Sequence, residues 1–169
     1  MNVVIVGCGR VGALLAGTLD AQGHEVAVVD TSTMAFDRLP SNFRGNAIRG
    51  DGTDEDTLRR AGTAGADLFL ALTQGDNRNV MAAQLAAEVF GVARSVATIH
   101  DVVRAQAYAE LGIATVCRTE LVSDAVLSYL GMATLGAAGI RPPTGRHGGP
   151  NHRGLEERGD YPDAAPSAQ

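Results

Sequence analysis

Lysine is absent: all 14 basic side chains among the 169 residues are arginine. No amine for a Schiff base and no phosphate-gripping P-loop lysine is present, which excludes two large reaction classes. Cysteine occurs only at Cys8 and Cys117, without the spacing of a zinc site, so both read as free thiols of a reducing compartment. No apolar run approaches the roughly 18 residues of a membrane span. The N-terminus enters an apolar strand without a charged leader and signal core, so the expectation is a soluble, cytoplasmic chain. Basic runs are also missing, and the formal net charge of −5 argues against a nucleic-acid or anionic-membrane surface. Metal ligation has little to work with. His147 and His152 sit among Gly, Pro and Asn and read as solvated tail residues.

Glycine, by contrast, is abundant and ordered. Val3-Val4-Ile5-Val6 breaks into Gly7-Cys8-Gly9-Arg10-Val11-Gly12 and then an Ala/Leu-rich stretch. A β-branched run followed by G-x-G-x-x-G and a helix is a strand–turn–helix that presents a nucleotide pyrophosphate to a helix N-terminus. In that pattern Gly7 permits the tight turn, Gly9 lets backbone approach phosphate, and Gly12 lets the helix pack closely. The same glycines also occur where only packing is served. The second apolar run, Val26-Ala27-Val28-Val29, ends in Asp30, where a ribose-binding acid belongs.

Short apolar runs alternate with helix-like stretches along the chain, the pattern of a parallel sheet covered on both faces. The runs predict strands at Asn2–Val6, Glu25–Val29, Asn46–Arg49, Leu68–Leu72, Ser95–Ile99 and Ala114–Val116. Helices are expected over Leu14–Ala21, Asp54–Arg60, Asn77–Val89, Val102–Leu111 and Glu120–Leu130. The fold class is α/β, a Rossmann-like doubly wound six-stranded sheet of order 3-2-1-4-5-6 with its ligand crevice at the carboxyl ends of the strands. Residues 1–138 form the nucleotide-binding domain. Residues 139–169, rich in Pro and Gly and poor in branched apolar side chains, read as a disordered tail.

Two polar turns fall at the expected crevice. Gly50-Asp51-Gly52-Thr53-Asp54 follows the third strand, where the Asp51 carboxylate is placed to accept from an adenine amino group. Asp51 or Thr53 capping the next helix reads equally well. Leu72-Thr73-Gln74-Gly75-Asp76-Asn77 follows the fourth strand and brings Thr73 to the ligand.

Together with Val29-Asp30, Ala66-Asp67, Glu110-Leu111-Gly112-Ile113 and Thr119-Glu120-Leu121, these motifs resemble the TrkA N-terminal domain, also called RCK, for regulator of conductance of potassium, over residues 1–130. The resemblance implies a cytoplasmic regulatory subunit of a bacterial potassium uptake system that binds NAD(H) or ATP/ADP. It implies dimers built through the sheet edge and late helices, and rings under a membrane potassium transporter or channel, with a paralogous subunit as a further partner. Carried over, Gly7, Cys8, Gly9, Arg10, Val11 and Gly12 cradle phosphates, Asp30 holds ribose, and Asp51 with Gly52 meets adenine. Thr73 and Gln74 line the far side. Thr98 stands where many relatives carry an arginine, which puts a terminal-phosphate contact in doubt, and His100 offers partial compensation. Relatives usually continue into a small C-terminal ligand-binding domain, whereas this chain continues into the Pro/Gly-rich segment.

The rival reading is a small NAD-dependent oxidoreductase, since the same fingerprint serves dehydrogenases. It needs a proton-transfer pair and a substrate domain, and no such pair stands out in the sequence. No catalytic or metal-binding residue is therefore expected. Leu121, Val122, Ala125, Val126 and Tyr129 form an apolar stripe at helical spacing. It either covers the chain's own sheet or makes an oligomer interface, and the resemblance favours the interface.

Overall fold

The computed structural model describes residues 1–136 and 139–143. It contains β1 (Asn2–Val6), α1 (Arg10–Ala21), β2 (Glu25–Asp30), β3 (Asn46–Arg49), α2 (Glu55–Arg60), β4 (Leu68–Ala71), α3 (Asp76–Gln84), β5 (Ser95–Ile99), α4 (Val102–Glu110), β6 (Ala114–Cys117), α5 (Arg118–Tyr129) and β7 (Ile140–Arg141). The sheet order is β3-β2-β1-β4-β5-β6-β7. The first six strands pair in parallel, as the alternation of apolar runs requires. Short 3-10 helices at Thr33–Arg38 and Thr63–Gly65 link elements, and α3 loosens into a wider π turn over Leu85–Val89.

Strand side chains alternate between two cores. Val4, Val6, Ala27, Val29, Phe69 and Ala71 face α2 and α3 on one side, meeting Leu58, Ala82 and Ala86. Val3, Ile5, Val26 and Val28 face the other side, where α1 packs through Ala13 and Ala16. These strands are buried on both faces, which is why they read in sequence as unbroken β-branched runs. A third cluster under α4, including Ala97, Ile99, Ala105 and Ile113, completes the second half.

One strand exceeds the sequence expectation. Ile140–Arg141 belongs to the stretch expected to be a tail, yet it adds to β6 antiparallel, with Val116 opposite Ile140. A two-residue strand carries no periodicity to read. It is held by backbone pairing and by the ion pair of Arg141 with the buried Glu120. Residues 144–169 of that stretch, including His147 and His152, lie outside the described residues. Among the described residues, no helix is long and apolar enough to cross a membrane.

Candidate functional site

Strand order reverses between β1 and β4, and the loops leaving their carboxyl ends diverge there to open a crevice. Gly7 turns the chain out of β1 at φ +106°, its N–H donating to Val29 O at 2.7 Å. A Cβ at Gly7 would stand 2.9 Å from the carbonyl carbon of Leu72, so turn and packing both demand glycine. Gly12 is tighter still, because a Cβ there would lie 1.9 Å from Gly7 O. Gly9 differs in kind: its backbone is ordinary, at φ −75°, and a Cβ would meet nothing within 4 Å. No packing requirement explains glycine at that position.

Gly9 is also the N-cap of α1, which has no side-chain cap and no acid in its first turn. The N–H groups of a first helical turn have no intrahelical partners and, with the helix dipole, favour an anion. Asp30 closes the loop from the β2 side. Its Oδ2 accepts the Cys8 N–H at 2.8 Å and its Oδ1 the Ser32 N–H at 2.9 Å. The Cys8 side chain turns away into the core, fully buried, and that burial together with the nearby Asp30 charge pushes its thiol pKa up. It stays a neutral thiol at pH 7.

Gly7, Asp30, Asp51, Gly52, Thr73 and Arg78 all line a narrow crevice of about 100 Å³. Asp51 folds back locally, Oδ1 accepting the Thr53 N–H at 2.9 Å and the Thr53 hydroxyl at 2.8 Å. These bonds hold its carboxyl below the ordinary carboxylate range. The cap of α2 is neither Asp51 nor Thr53 but Asp54, whose Oδ2 accepts the Thr57 N–H at 2.9 Å. Asp51 is thus not consumed by capping. Gly52 has its own constraint, since a Cβ would lie 2.1 Å from Val6 Cγ1.

Arg10 and Val11 are exposed on the first turn of α1, beside Gly9. Gln74 lines a second, wider cleft beyond Thr73. Thr98 reaches neither opening. It is buried, its hydroxyl donating to Ala71 O at 3.1 Å and accepting from Asn79 Nδ2 at 3.0 Å. The structure therefore gives Thr98 a place in a polar core network behind Thr73.

Arg78 and Asn79 escaped sequence reasoning. Arg78 lines both openings, and Asn79 fixes Thr73, its Oδ1 accepting both the N–H at 2.9 Å and the hydroxyl at 2.6 Å. A usable signal existed for Asn79: it shares the buried face of α3 with Val80, Ala82 and Ala83, an amide on an otherwise apolar face.

In comparisons with known proteins, residues 3–119 match the TrkA-N domain family. The chain is 48% identical over 130 residues to the Trk system potassium uptake protein TrkA of Streptomyces coelicolor, covering 77% of this chain and 58% of that relative. It thus spans about three-fifths of that relative's length. The AMP-bound Kef C-terminal domain of Shewanella denitrificans superposes with TM-score 0.62 at 25% identity, over 79% of this chain and 84% of the other. The TrkA-N domain of the Escherichia coli inner membrane protein ybaL superposes with TM-score 0.68 at 22% identity, over 76% and 96%, and attests the fold. With more than half of its length matched by the family's sequence pattern, the chain belongs to the TrkA-N domain family.

Proposed function

We propose that this chain is the nucleotide-sensing module of a Trk-type potassium uptake system, acting on the cytoplasmic face of a membrane potassium transporter or channel. The observation that carries the reading is the open space at Gly9, over an uncapped α1 N-terminus and opposite Asp30. A nucleotide's phosphates fit the first and its ribose hydroxyls the second, with adenine toward Asp51. The relatives' names as potassium uptake proteins support the system, and the AMP-bound Kef domain supports an adenine ligand. The ligand is NAD(H) or ATP/ADP. A 2′-phosphate would face the Asp30 carboxylate, which disfavours NADP.

Regulation is favoured over catalysis by the engagement of the nearest acid–base candidate. His100 has Nδ1 at 2.8 Å from Asp76 Oδ1 and Nε2 at 3.1 Å from Arg118 Nη1, so neither ring nitrogen is free to exchange a proton with a substrate. Calorimetric titration with AMP, ADP, ATP, NAD and NADH tests the reading. At least one adenine nucleotide is expected to bind, and Asp30→Asn to weaken it roughly tenfold, the loss of a charge-assisted ribose contact. A folded Asp30→Asn variant with wild-type affinity removes Asp30 from the site.

A sensor that moves a pore needs an interface, and α5 offers one. Val122, Val126 and Tyr129 are 66%, 54% and 90% exposed, so most of the stripe is not spent on the chain's own sheet. Light scattering is expected to find a dimer or larger assembly, and Val122→Asp with Val126→Asp to give a folded monomer. A wild-type monomer at high concentration with nucleotide present sinks the assembly.

A further inference from the structure

The sheet guards its two ends by different means. Among the described residues β3 is paired on one side only, by β2, and this edge strand ends in the charge of Arg49. At the other end β6 reads Ala114-Thr115-Val116-Cys117, small or β-branched throughout and without a charge. A strand of that kind with one row of N–H and C=O groups unpaired is a template for a strand of another chain, unless a charge or a covering segment blocks it. The charge is missing from β6, and the cover is present. Ile140 stands opposite Val116 and Arg141 opposite Thr115, in antiparallel register.

Two residues of strand pair too briefly to hold themselves in place. The hold comes from a buried ion pair. α5 follows β6 directly, and Glu120 in its first turn is the one residue of that helix that is buried. Its carboxylate pairs with the Arg141 guanidinium through Nη2. A charge out of water requires its counter-ion, so Glu120 fixes Arg141 and, with it, β7. The chain between them is turned to make that return. Gly131 leaves α5 at φ +67°, the Leu135 N–H donates to Asp124 Oδ1 at 2.6 Å, and Gly139 enters β7 at φ +77°. The hold is also incomplete. Arg141 Nε is buried without a hydrogen-bond partner among the described residues, and the arginine side chain, 33% exposed, has a path to water that Glu120, at 6%, lacks.

We propose that the returning segment ending in β7 is a strap that closes the β6 edge to other copies of this chain, with Glu120 and Arg141 as its latch. Opening the latch bares an uncharged edge, whose self-complementary occupant is β6 of a second copy, related by a two-fold axis. While the strap is down, edge pairing at β6 is closed, and assembly is left to other faces such as the exposed stripe of α5.

The test is amide hydrogen exchange read by mass spectrometry, with sedimentation velocity over a range of concentrations. The full chain is compared as wild type, Arg141→Gln, Arg141→Lys and Glu120→Leu. Arg141→Gln is expected to speed exchange across residues 114–117 at least about tenfold, while residues 26–29 of the inner strand β2 keep wild-type protection. It should also form assemblies larger than those of wild type, growing with concentration. Because the pair uses a single nitrogen of the guanidinium, Arg141→Lys should stay within about threefold of wild type in exchange. Glu120→Leu removes the anchor without leaving a lone charge in the interior, so it keeps the fold and should open the edge in the same way. Wild-type exchange at residues 114–117 in both Arg141→Gln and Glu120→Leu overturns the latch. Faster exchange there with wild-type sedimentation overturns the closing of the edge against other copies. Loss of protection at residues 26–29 in Glu120→Leu makes the pair a support of the whole domain and overturns the strap as a separate element.

Discussion

Gly12→Ala is expected to lower the melting temperature by roughly 10 °C or more, while Gly9→Ala leaves it within a few degrees and weakens nucleotide binding about a hundredfold. The two glycines lie three residues apart, Gly9 at the N-cap and Gly12 in the first turn of α1, and the contrast follows from what a methyl group would meet. At Gly12 it would lie 1.9 Å from Gly7 O and 3.1 Å from Gly7 C. Those are backbone atoms of a turn already fixed by its positive φ and by the Val29 hydrogen bond, so neither side can yield cheaply. Either α1 lifts off β1 or the turn deforms, at a cost of about 3 kcal/mol. At Gly9 the φ of −75° suits alanine and the space is open. The methyl group costs the fold little and occupies the approach proposed here for the nucleotide phosphates, so an affinity loss of about a hundredfold is expected. Differential scanning fluorimetry with and without ATP reads both. A stable Gly12→Ala protein refutes the packing argument, and unimpaired binding by Gly9→Ala refutes the phosphate assignment.

That same pair shows how far sequence alone carried the structure. A parallel strand buried on both faces has no polar alternation to confuse with loop, so Val3–Val6 and Val26–Val29 were plain, and their alternation with helices left few ways to order the sheet. Glycines required by backbone geometry were legible for a related reason: no other residue substitutes in the turn at Gly7. Sequence did not reveal which side chains meet across elements. Thr98 was assigned to the ligand site through the resemblance, which puts an arginine at that position in many relatives. An amide from α3 reaches it first, and no local pattern around residue 98 announces residue 79. Arg78, Arg104 and Arg118 each look like an ordinary solvated charge on its own helix, and only packing brings them to one cleft. Asp54, rather than Asp51 or Thr53, caps α2 because the helix begins one residue later than the sequence expectation.

The other large effect is expected at Asn79, where Asn79→Leu should destabilise the domain by about 3–5 kcal/mol by urea denaturation. The side chain is fully buried and all its hydrogen-bonding capacity is used. Nδ2 donates to Thr73 O at 3.0 Å and to Thr98 O at 2.8 Å, while Oδ1 accepts the Thr73 N–H and hydroxyl. Leucine preserves volume, so no cavity term enters, yet it removes the partner of one backbone donor and two backbone carbonyls, of which Thr98 O is buried. Each unsatisfied group costs about 1–3 kcal/mol, and partial relaxation keeps the total below their sum. Asn79→Asp separates hydrogen bonding from packing, because a carboxylate would face both carbonyls and be driven to hold its proton. A carboxyl whose pKa is raised on folding contributes stability that is lost as pH rises above its unfolded value, so this variant should be markedly more stable near pH 4 than near pH 7. Because Asn79 sets the backbone and hydroxyl of Thr73, the folded fraction of either variant should also bind nucleotide more weakly than wild type. An Asn79→Leu loss under about 1 kcal/mol would mean that water or a shifted α3 satisfies these groups, and that the Thr73 wall of the crevice is held by something other than this amide.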